Sequence, residues 1–386
     1  MIMIYPSEIT KKWPHRPLSE VVDFLDSKRK PITQKDRVPG PYPYYGANGQ
    51  QDSVADYIFD EPLVLLAEDG GHFGDADKTI AYQVEGKCWV NNHAHVLRPK
   101  KDVDIRYICR HLERYDVTPF ITGSTRGKLT KTAANNIPIA LPPLEEQRRI
   151  AAILDKADGV RRKRKEAIRL TEELLKSTFL EMFGDSERNF REHCGQDCFL
   201  PLEKCIERFI DYRGKTPTKA NSGVPLITAK IIKNGRIQPP NEFIARENYD
   251  SWMRRGLPEL GDVLFTTEAP LGEVAQVDDP DIALAQRVLL MRGKSNILDN
   301  TYLFGTLQSS FVRDQIERRS TGSTVKGIRQ KELRKVVIPI PPIFLQRKYA
   351  SFAVSQQKCT DRQKLLFKES ENLFNALCKR AFRGEL

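Results

Sequence analysis

Two stretches of this chain carry apolar residues in steps of three and four for about forty positions. The first, residues 141–185, has Ile150, Ile153, Leu154, Ala157, Val160, Ala167, Ile168, Leu174, Leu175, Phe179 and Met182. That spacing gathers the apolar groups on one face of a helix. Pro142 and Pro143 stand in the first turn, where a helix tolerates proline, and Glu145 and Glu146 follow near the positive end of its dipole. Gly184 is a helix stop. The second stretch starts at residue 341, carries Tyr349, Phe352, Ala353, Cys359, Leu366, Phe367, Leu373, Phe374, Leu377 and Ala381, and stops at Gly384. A forty-residue helix is roughly 60 Å long. A single apolar stripe on such a rod cannot be buried against the rod itself, so two in one chain predict an antiparallel coiled coil.

The two stretches are copies. Pro142 and Pro143 match Pro341 and Pro342, Gln147 and Arg148 match Gln346 and Arg347, and Gly123, Ser124 and Thr125 match Gly322, Ser323 and Thr324. Residues 123–183 thus align with 322–382 without a gap, and a repeat of this kind decides the architecture. What precedes each rod reads as a globule of short strands and frequent turns. In the first, residues 61–67 predict a buried strand, 79–84 an alternating one, 89–97 another and 137–141 a last; residues 103–114 have helical spacing through Ile105, Ile108 and Leu112. The second echoes this order: 201–206 for 17–22, 223–229 for 40–47, 261–267 for 61–67, 283–291 for 89–97, and 297–307 for the helix. The predicted organisation is an arm (1–14), a globule (15–141), a rod (142–184), a polar connector (185–200), a second globule (201–340) and a second rod (341–386). The class is α+β, one mixed globule-plus-helix unit used twice about a pseudo-two-fold repeat. Shared order with different loop letters implies one fold and two ligands.

Composition changes the picture mainly through charge. Of 386 residues, 40% are hydrophobic and 29% charged, ordinary for a soluble globular chain. The net charge of +11 points toward a polyanionic partner, nucleic acid first. Seven scattered cysteines argue against a disulfide framework. His193, Cys194, Cys198 and Cys205 are poorly spaced for zinc. No run approaches the roughly 18 apolar residues of a membrane span, and the first residues lack a signal-peptide layout, so a cytoplasmic setting is expected. No G-x-x-x-x-G-K-[ST] phosphate loop occurs, and no Asn-Pro-Pro-aromatic motif for a flipped base. Gly70, Gly71 and Gly74 lack the following helix that a cofactor loop needs. Glu68, Asp69 and Glu268 end strands, where three readings stay open: carboxylates of a magnesium-dependent nuclease, acceptors for cytosine N4, or plain turn residues.

The paired T-G-S-T loops (122–125 and 321–324), the paired strand–Pro-Pro-x-x-x-Gln-Arg helix starts (142–148 and 341–347) and the terminal AFRGEL (381–386) resemble the specificity subunit of type I restriction-modification enzymes over nearly the whole chain. The resemblance implies that each globule is a target-recognition domain reading one half of a split, asymmetric duplex DNA site. The rods would set the gap and dock two modification subunits, which carry S-adenosylmethionine and methylate adenine. Restriction subunits with an ATP-driven motor and a Mg2+-dependent nuclease would join them. The chain itself would hold no cofactor or metal and catalyse nothing. The docking candidates are Gln147, Arg148, Gln346 and Arg347 at the helix starts, with Arg161 and Arg162 of the basic run 161–165, for which three readings stay open: a solvated helix face, a contact with DNA passing between the globules, or a dock for an acidic patch on a partner. Two other classes remain: a stand-alone metal-dependent nuclease with duplicated domains, and a scaffold that binds only protein.

Base edges are read by Arg, Lys, Asn and Gln, while other basic and backbone groups hold phosphates. In the first globule the candidates are Tyr45 and Asn48 of one loop, Asn91, Asn92 and His93 of a second, and Thr125, Arg126 and Lys128 of the T-G-S-T loop, whose turn amides can face phosphate. Tyr44 and Tyr45 are equally well explained as core. In the second globule they are Arg213, Lys215 and Lys219 of a basic turn, Lys230, Lys233, Asn234 and Arg236, then Gln286 and Arg287, and finally Thr324, Lys326 and Arg329. Gln286 and Arg287 stand where the first globule has Asn92 and His93.

Overall fold

The computed structural model describes residues 3–9, 12–75, 77–123, 127–195, 198–212 and 216–386. Contacts divide the chain into two units, Met1–Ala167 with Gln363–Leu386, and Ile168–Arg362. Each is built on the same four-stranded antiparallel sheet. Its order in the first unit is Val22–Phe24, Ala94–Pro99, Leu63–Ala67, Ala81–Val84. In the second it is Ile206–Asp211, Val288–Gly293, Val263–Thr267, Leu271–Gln276. The inner strands Leu63–Ala67 and Val263–Thr267 are buried at every position, which is why they read as apolar runs and not as alternations. Both units also hold a smaller sheet with a parallel pair, Tyr44 beside Trp89 and Leu226 beside Ala283. A short ribbon closes each globule: His15–Pro17 with Pro138–Ala140, and Phe199–Pro201 with Val337–Pro339. The later strand of each ribbon leads through the proline pair into a long helix, Leu144–Phe183 and Ile343–Phe382.

The two long helices pair antiparallel. In the first unit Ile150, Ala151 and Leu154 share a core with Phe374, Cys378, Ala381 and Phe382, and further along the Arg164 guanidinium donates to the Leu366 carbonyl. In the second unit Phe179 and Phe183 pack on Tyr349 with ring centroids 5.3 and 5.8 Å apart. The seam is narrower than the sequence predicts. Val160, Leu174, Cys359 and Leu373 are exposed, whereas the polar Asp158, Thr360 and Ser370 are buried. A helix of 3.6 residues per turn drifts about 20° per heptad from a 3.5-residue seam, so steps of three and four run partly off the contact line.

Three further expectations need correction. Residues 89–97 and 283–291 are each two strands, Lys87–Val90 then Ala94–Pro99, and Ala283–Leu284 then Val288–Gly293. The chain passes from the small sheet to the large one, and both sheets are apolar, so the apolar run hides the break. The arm is docked: Ile4, Ile9 and Trp13 are buried in the first core, and the Ile4 amide donates to the Arg114 carbonyl at 2.9 Å. The connector contains a helix, Glu187–Cys194, capped by the Ser186 hydroxyl and anchored by the fully buried Phe190. Among the described residues no helix is long and apolar enough to cross a membrane.

Candidate nucleic-acid interface

The T-G-S-T loop of the first globule is closed at its neck. The Thr122 amide donates to the Lys128 carbonyl at 2.9 Å and the Lys128 amide returns a bond at 2.8 Å. The next residue, Leu129, ties the loop to the central strand through its amide and the Glu68 carbonyl, 2.8 Å. Beneath this neck lies a knot of charge. The fully buried His95 ring reaches the Leu129 carbonyl with Nε2 (2.8 Å) and Asp26 with Nδ1 (2.6 Å). Arg29 pairs with Glu68 at 2.6 Å and with Asp26 at 3.4 Å, and Lys128 Nζ lies 3.2 Å from Glu68. Burial pushes the Asp26 carboxyl up, but the His95 bond and charge, the Val96 amide and Arg29 outweigh it and leave it below the usual aspartate range. Asp26, Glu68 and His95 could converge on a cation, their ligand atoms lying within 4.8 Å of one another. The Arg29 guanidinium already supplies that positive charge, so the cluster is a structural ion knot that sets the loop. Sequence reasoning missed it, because Asp26 and Arg29 are far along the chain from Glu68 and His95. Thr125 and Arg126, expected at the loop tip, lie outside the described residues.

Beside the loop is a polar cleft of about 370 Å³ lined by Arg37, Asn48, Gln51, Asp69, Asn92 and His93, among others. Asn48 and Asn92 are exposed; His93 is half-buried, its Nδ1 3.4 Å from Asp69. Asn91 departs from expectation. It is buried, its amide donates to Gln51 Oε1 at 3.1 Å, and its carbonyl oxygen accepts the His93 amide at 2.8 Å. It shapes the loop that presents its neighbours. Tyr44 belongs to the core, under the Arg37 guanidinium at 4.3 Å from the ring centroid. Tyr45 is half-buried against Tyr82, and burial raises its hydroxyl above the ordinary range.

The second globule repeats the frame. Thr321 and Gly327 exchange amide–carbonyl bonds of 2.8 and 2.9 Å, and the Ile328 amide donates to the Thr267 carbonyl at 2.9 Å. Thr324, Lys326 and Arg329 are exposed on or beside this loop, with Lys326 3.7 Å from Glu317. Arg287 is exposed and lies 3.3 Å from Glu268; Gln286 is half-buried. Lys230 and Lys233 are exposed, and Lys219 pairs with Glu242 at 2.9 Å. Asn234 occupies a tight turn with φ +54° before Gly235, its amide bonded to Glu273. Arg236, expected on DNA, points instead at the two long helices, 3.4 Å from Glu172 and 3.5 Å from Asp361. An arginine flanked by two carboxylates ties the globule to its rods. Arg213 and Lys215 lie outside the described residues.

The helix starts are also corrected. Gln147 is buried: Nε2 donates to the carbonyls of Asp102 and Pro142 at 3.2 and 2.9 Å, and Oε1 accepts the Asp104 amide at 2.9 Å. Asp104 in turn caps the helix Ile105–Leu112 by accepting the amides of Arg106 and Tyr107. Gln346 does the same with Ile297 (2.9 Å), Pro341 (2.7 Å) and Asp299 (2.9 Å), and Asp299 caps Asn300–Thr306. Both glutamines fasten a globule to its rod, and their burial closes them to a partner. Arg148 and Arg347 are exposed, bonded to Glu145 at 2.7 Å and to the Ser295 carbonyl at 3.0 Å. In the basic run, Arg161 and Arg162 both pair with the buried Asp158, at 2.6 and 2.8 Å. Arg110 joins them from the globule, contacting Asp158, Glu113 and Asp155 at 3.1, 3.1 and 2.9 Å. Burial pushes the Asp158 carboxyl up, but these arginines more than offset it and keep it low.

A family described as the type I restriction modification DNA specificity domain matches residues 10–170 and again 209–364. A Haemophilus influenzae protein described as a putative type I restriction enzyme specificity subunit is 28% identical over 348 residues, covering 87% of this chain and 85% of that protein. The EcoKI specificity subunit of Escherichia coli is 21% identical over 348 residues, covering 84% and 74%. The crystal structure of a type I restriction-modification S subunit from M. genitalium superposes with a TM-score of 0.64 at 15% identity, covering 96% of each chain. At that identity the likeness is one of fold.

Proposed function

Because this chain belongs to the type I restriction modification DNA specificity family, its two matches spanning most of its length, we propose that it is the DNA-reading subunit of a type I restriction-modification enzyme. Residues 15–141 read one half of a split, asymmetric duplex site and residues 201–340 read the other. The rods (142–184 and 341–386) hold the spacing and dock two modification subunits, through exposed groups such as Arg148 and Arg347. Restriction subunits join that core. The chain makes and breaks no covalent bond; S-adenosylmethionine, ATP and Mg2+ belong to the partner subunits, and the setting is the cytoplasm. The observation that carries this reading is one backbone frame built twice with different side chains at matching places, His93 against Arg287 above all.

Within each reader the work divides by chemistry. Lys128, Lys219, Lys230, Lys233, Lys326 and Arg329 neutralise phosphates, which supplies affinity without sequence. Asn48, Asn92, His93, Gln286 and Arg287 face base edges, each good bidentate contact contributing about 1–3 kcal/mol of discrimination. Thr125, Arg126, Arg213 and Lys215 are further contacts on this reading. The acids that suggested a nuclease are engaged: Glu68 with Arg29 and Lys128, Asp69 with His93, Glu268 with Arg287. Sequencing methylated adenines in cells that express this chain with its modification subunit tests the proposal. A split, asymmetric motif is expected; a continuous or palindromic one refutes it, as does magnesium-dependent DNA cleavage by the purified chain alone.

A further inference from the structure

The two globules differ in chemistry at a place where their backbones are the same. In the first, the amides of Glu68 and Asp69 donate to the His93 carbonyl; in the second, the Thr267 amide donates to the Arg287 carbonyl. Asp69 bridges to Lys128 across the neck of the T-G-S-T loop, and Glu268 bridges to Gly327 at the same neck. His93 and Arg287 therefore occupy one position of the fold, and Asp69 and Glu268 another. Both pairs are in contact, at 3.4 Å and 3.3 Å. Each basic residue sits in the gap where the chain leaves its small sheet for its large one, the last residue before the strand Ala94–Pro99 or Val288–Gly293.

The backbone marks the second pair further. Arg287 has φ +71° and Ala269, beside Glu268, has φ +49°. Residues with side chains avoid this region, and where a fold holds them there the position commonly belongs to a binding or catalytic site. The Arg287 side chain is nonetheless 53% exposed, so core packing does not account for the conformation. The planar guanidinium carries its N–H groups in fixed directions, which a lysine ammonium does not. A base edge is recognised by the direction of N–H groups, which Glu268 orients.

We propose that this paired position is the base-reading lever of each globule, and that Arg287, aimed by Glu268, takes a guanine in the major groove through its O6 and N7. The planar guanidinium fork matches those two acceptors. His93, with Nδ1 3.4 Å from Asp69, is shorter and offers a single ring nitrogen beyond that contact, so the first globule reads a different edge from the same place. The assignment rests on the DNA-reading function proposed above and names the residue that sets specificity in one half-site.

The test uses the full chain assembled with its modification subunit, methylating a plasmid library in which both half-sites are randomised. Wild type is expected to prefer guanine at one position of one half-site. In R287A that preference falls from roughly 5- to 150-fold to about one, while every other position and the other half-site keep theirs. R287K, which keeps the charge and loses the planar fork, retains methylation with a weakened guanine preference, since an ammonium still reaches O6 or N7. The assignment is overturned if R287A leaves every position unchanged. It is equally overturned if R287A lowers methylation uniformly and R287K restores it, the signature of a phosphate contact. A wild-type complex that shows no split motif would instead remove the functional reading itself, and this assignment with it.

Discussion

Replacing Gln346 by methionine keeps the length and volume of the side chain and removes its amide. In the structure that amide accepts from Asp299 N and donates to the carbonyls of Ile297 and Pro341, at 2.9, 2.9 and 2.7 Å, in a site closed to solvent. Each lost bond costs about 1 kcal/mol net, and more if the orphaned backbone group stays dry. Three bonds give about 3 kcal/mol. The penalty falls on the unit Ile168–Arg362, for which 1 kcal/mol corresponds to roughly 2–4 °C, so Tm should fall by roughly 6–12 °C. Differential scanning calorimetry of purified wild type and Q346M measures this, and Q147M should do the same to the other unit. A drop under about 2 °C, together with failure of Q346M to co-purify with the modification subunit, would refute the reasoning. It would return Gln346 to the docking role that its neighbour Arg347 suggests.

Three further outcomes are expected. Arg29→Met leaves Asp26 and Glu68 without their guanidinium and should destabilise the first unit by about 3–5 kcal/mol in urea unfolding; a change below about 1 kcal/mol would mean the knot does not hold the loop. Burial depresses the His111 ring from the ordinary 6.5 to about 3, and neither nitrogen finds a hydrogen-bond partner. The unfolded chain therefore binds the extra proton first, and stability is complete above pH 6.5 and lost as pH falls from there toward 3. Between pH 7.5 and 5 the loss should be about 2 kcal/mol, and His111→Leu should abolish that slope in parallel urea titrations; an unchanged slope would exclude His111 as its source. Lys128→Ala should weaken DNA binding evenly across sequences and reduce the salt slope by about one, whereas a change in the motif at a single position would make it a base reader.

Much of the fold was legible because its signals are local or repeated. A helix announces itself through spacing within a few turns, and the match of residues 123–183 to 322–382 required only one chain. The same logic placed the central strands, whose apolar runs coincide with full burial. It failed wherever a local letter is ambiguous. The run through Trp89 and Val96 looks the same whether its residues line one sheet or two. Ser186 and Phe190 lie in a polar stretch whose helix is held by a distant core.

For the site the division is sharper. The sequence by itself determined which loops come in pairs, that His93 and Arg287 correspond, and that the chain is strongly basic. Only the tertiary structure decided which polar groups remain available. Asn91 and Asn92 are the same letter side by side, yet one is consumed by Gln51 and the other faces solvent. Arg236 and Arg287 are both basic loop residues, yet one is bound to the rods and the other aimed outward by a single carboxylate. The reason is that periodicity is a property of neighbours in the chain, while burial and charge pairing depend on residues brought from far along it. The glutamine of each helix start shows both at once: its repetition is visible in the letters, and two of its three bonds exist only because Asp102 and Asp104, or Ile297 and Asp299, are folded back onto it.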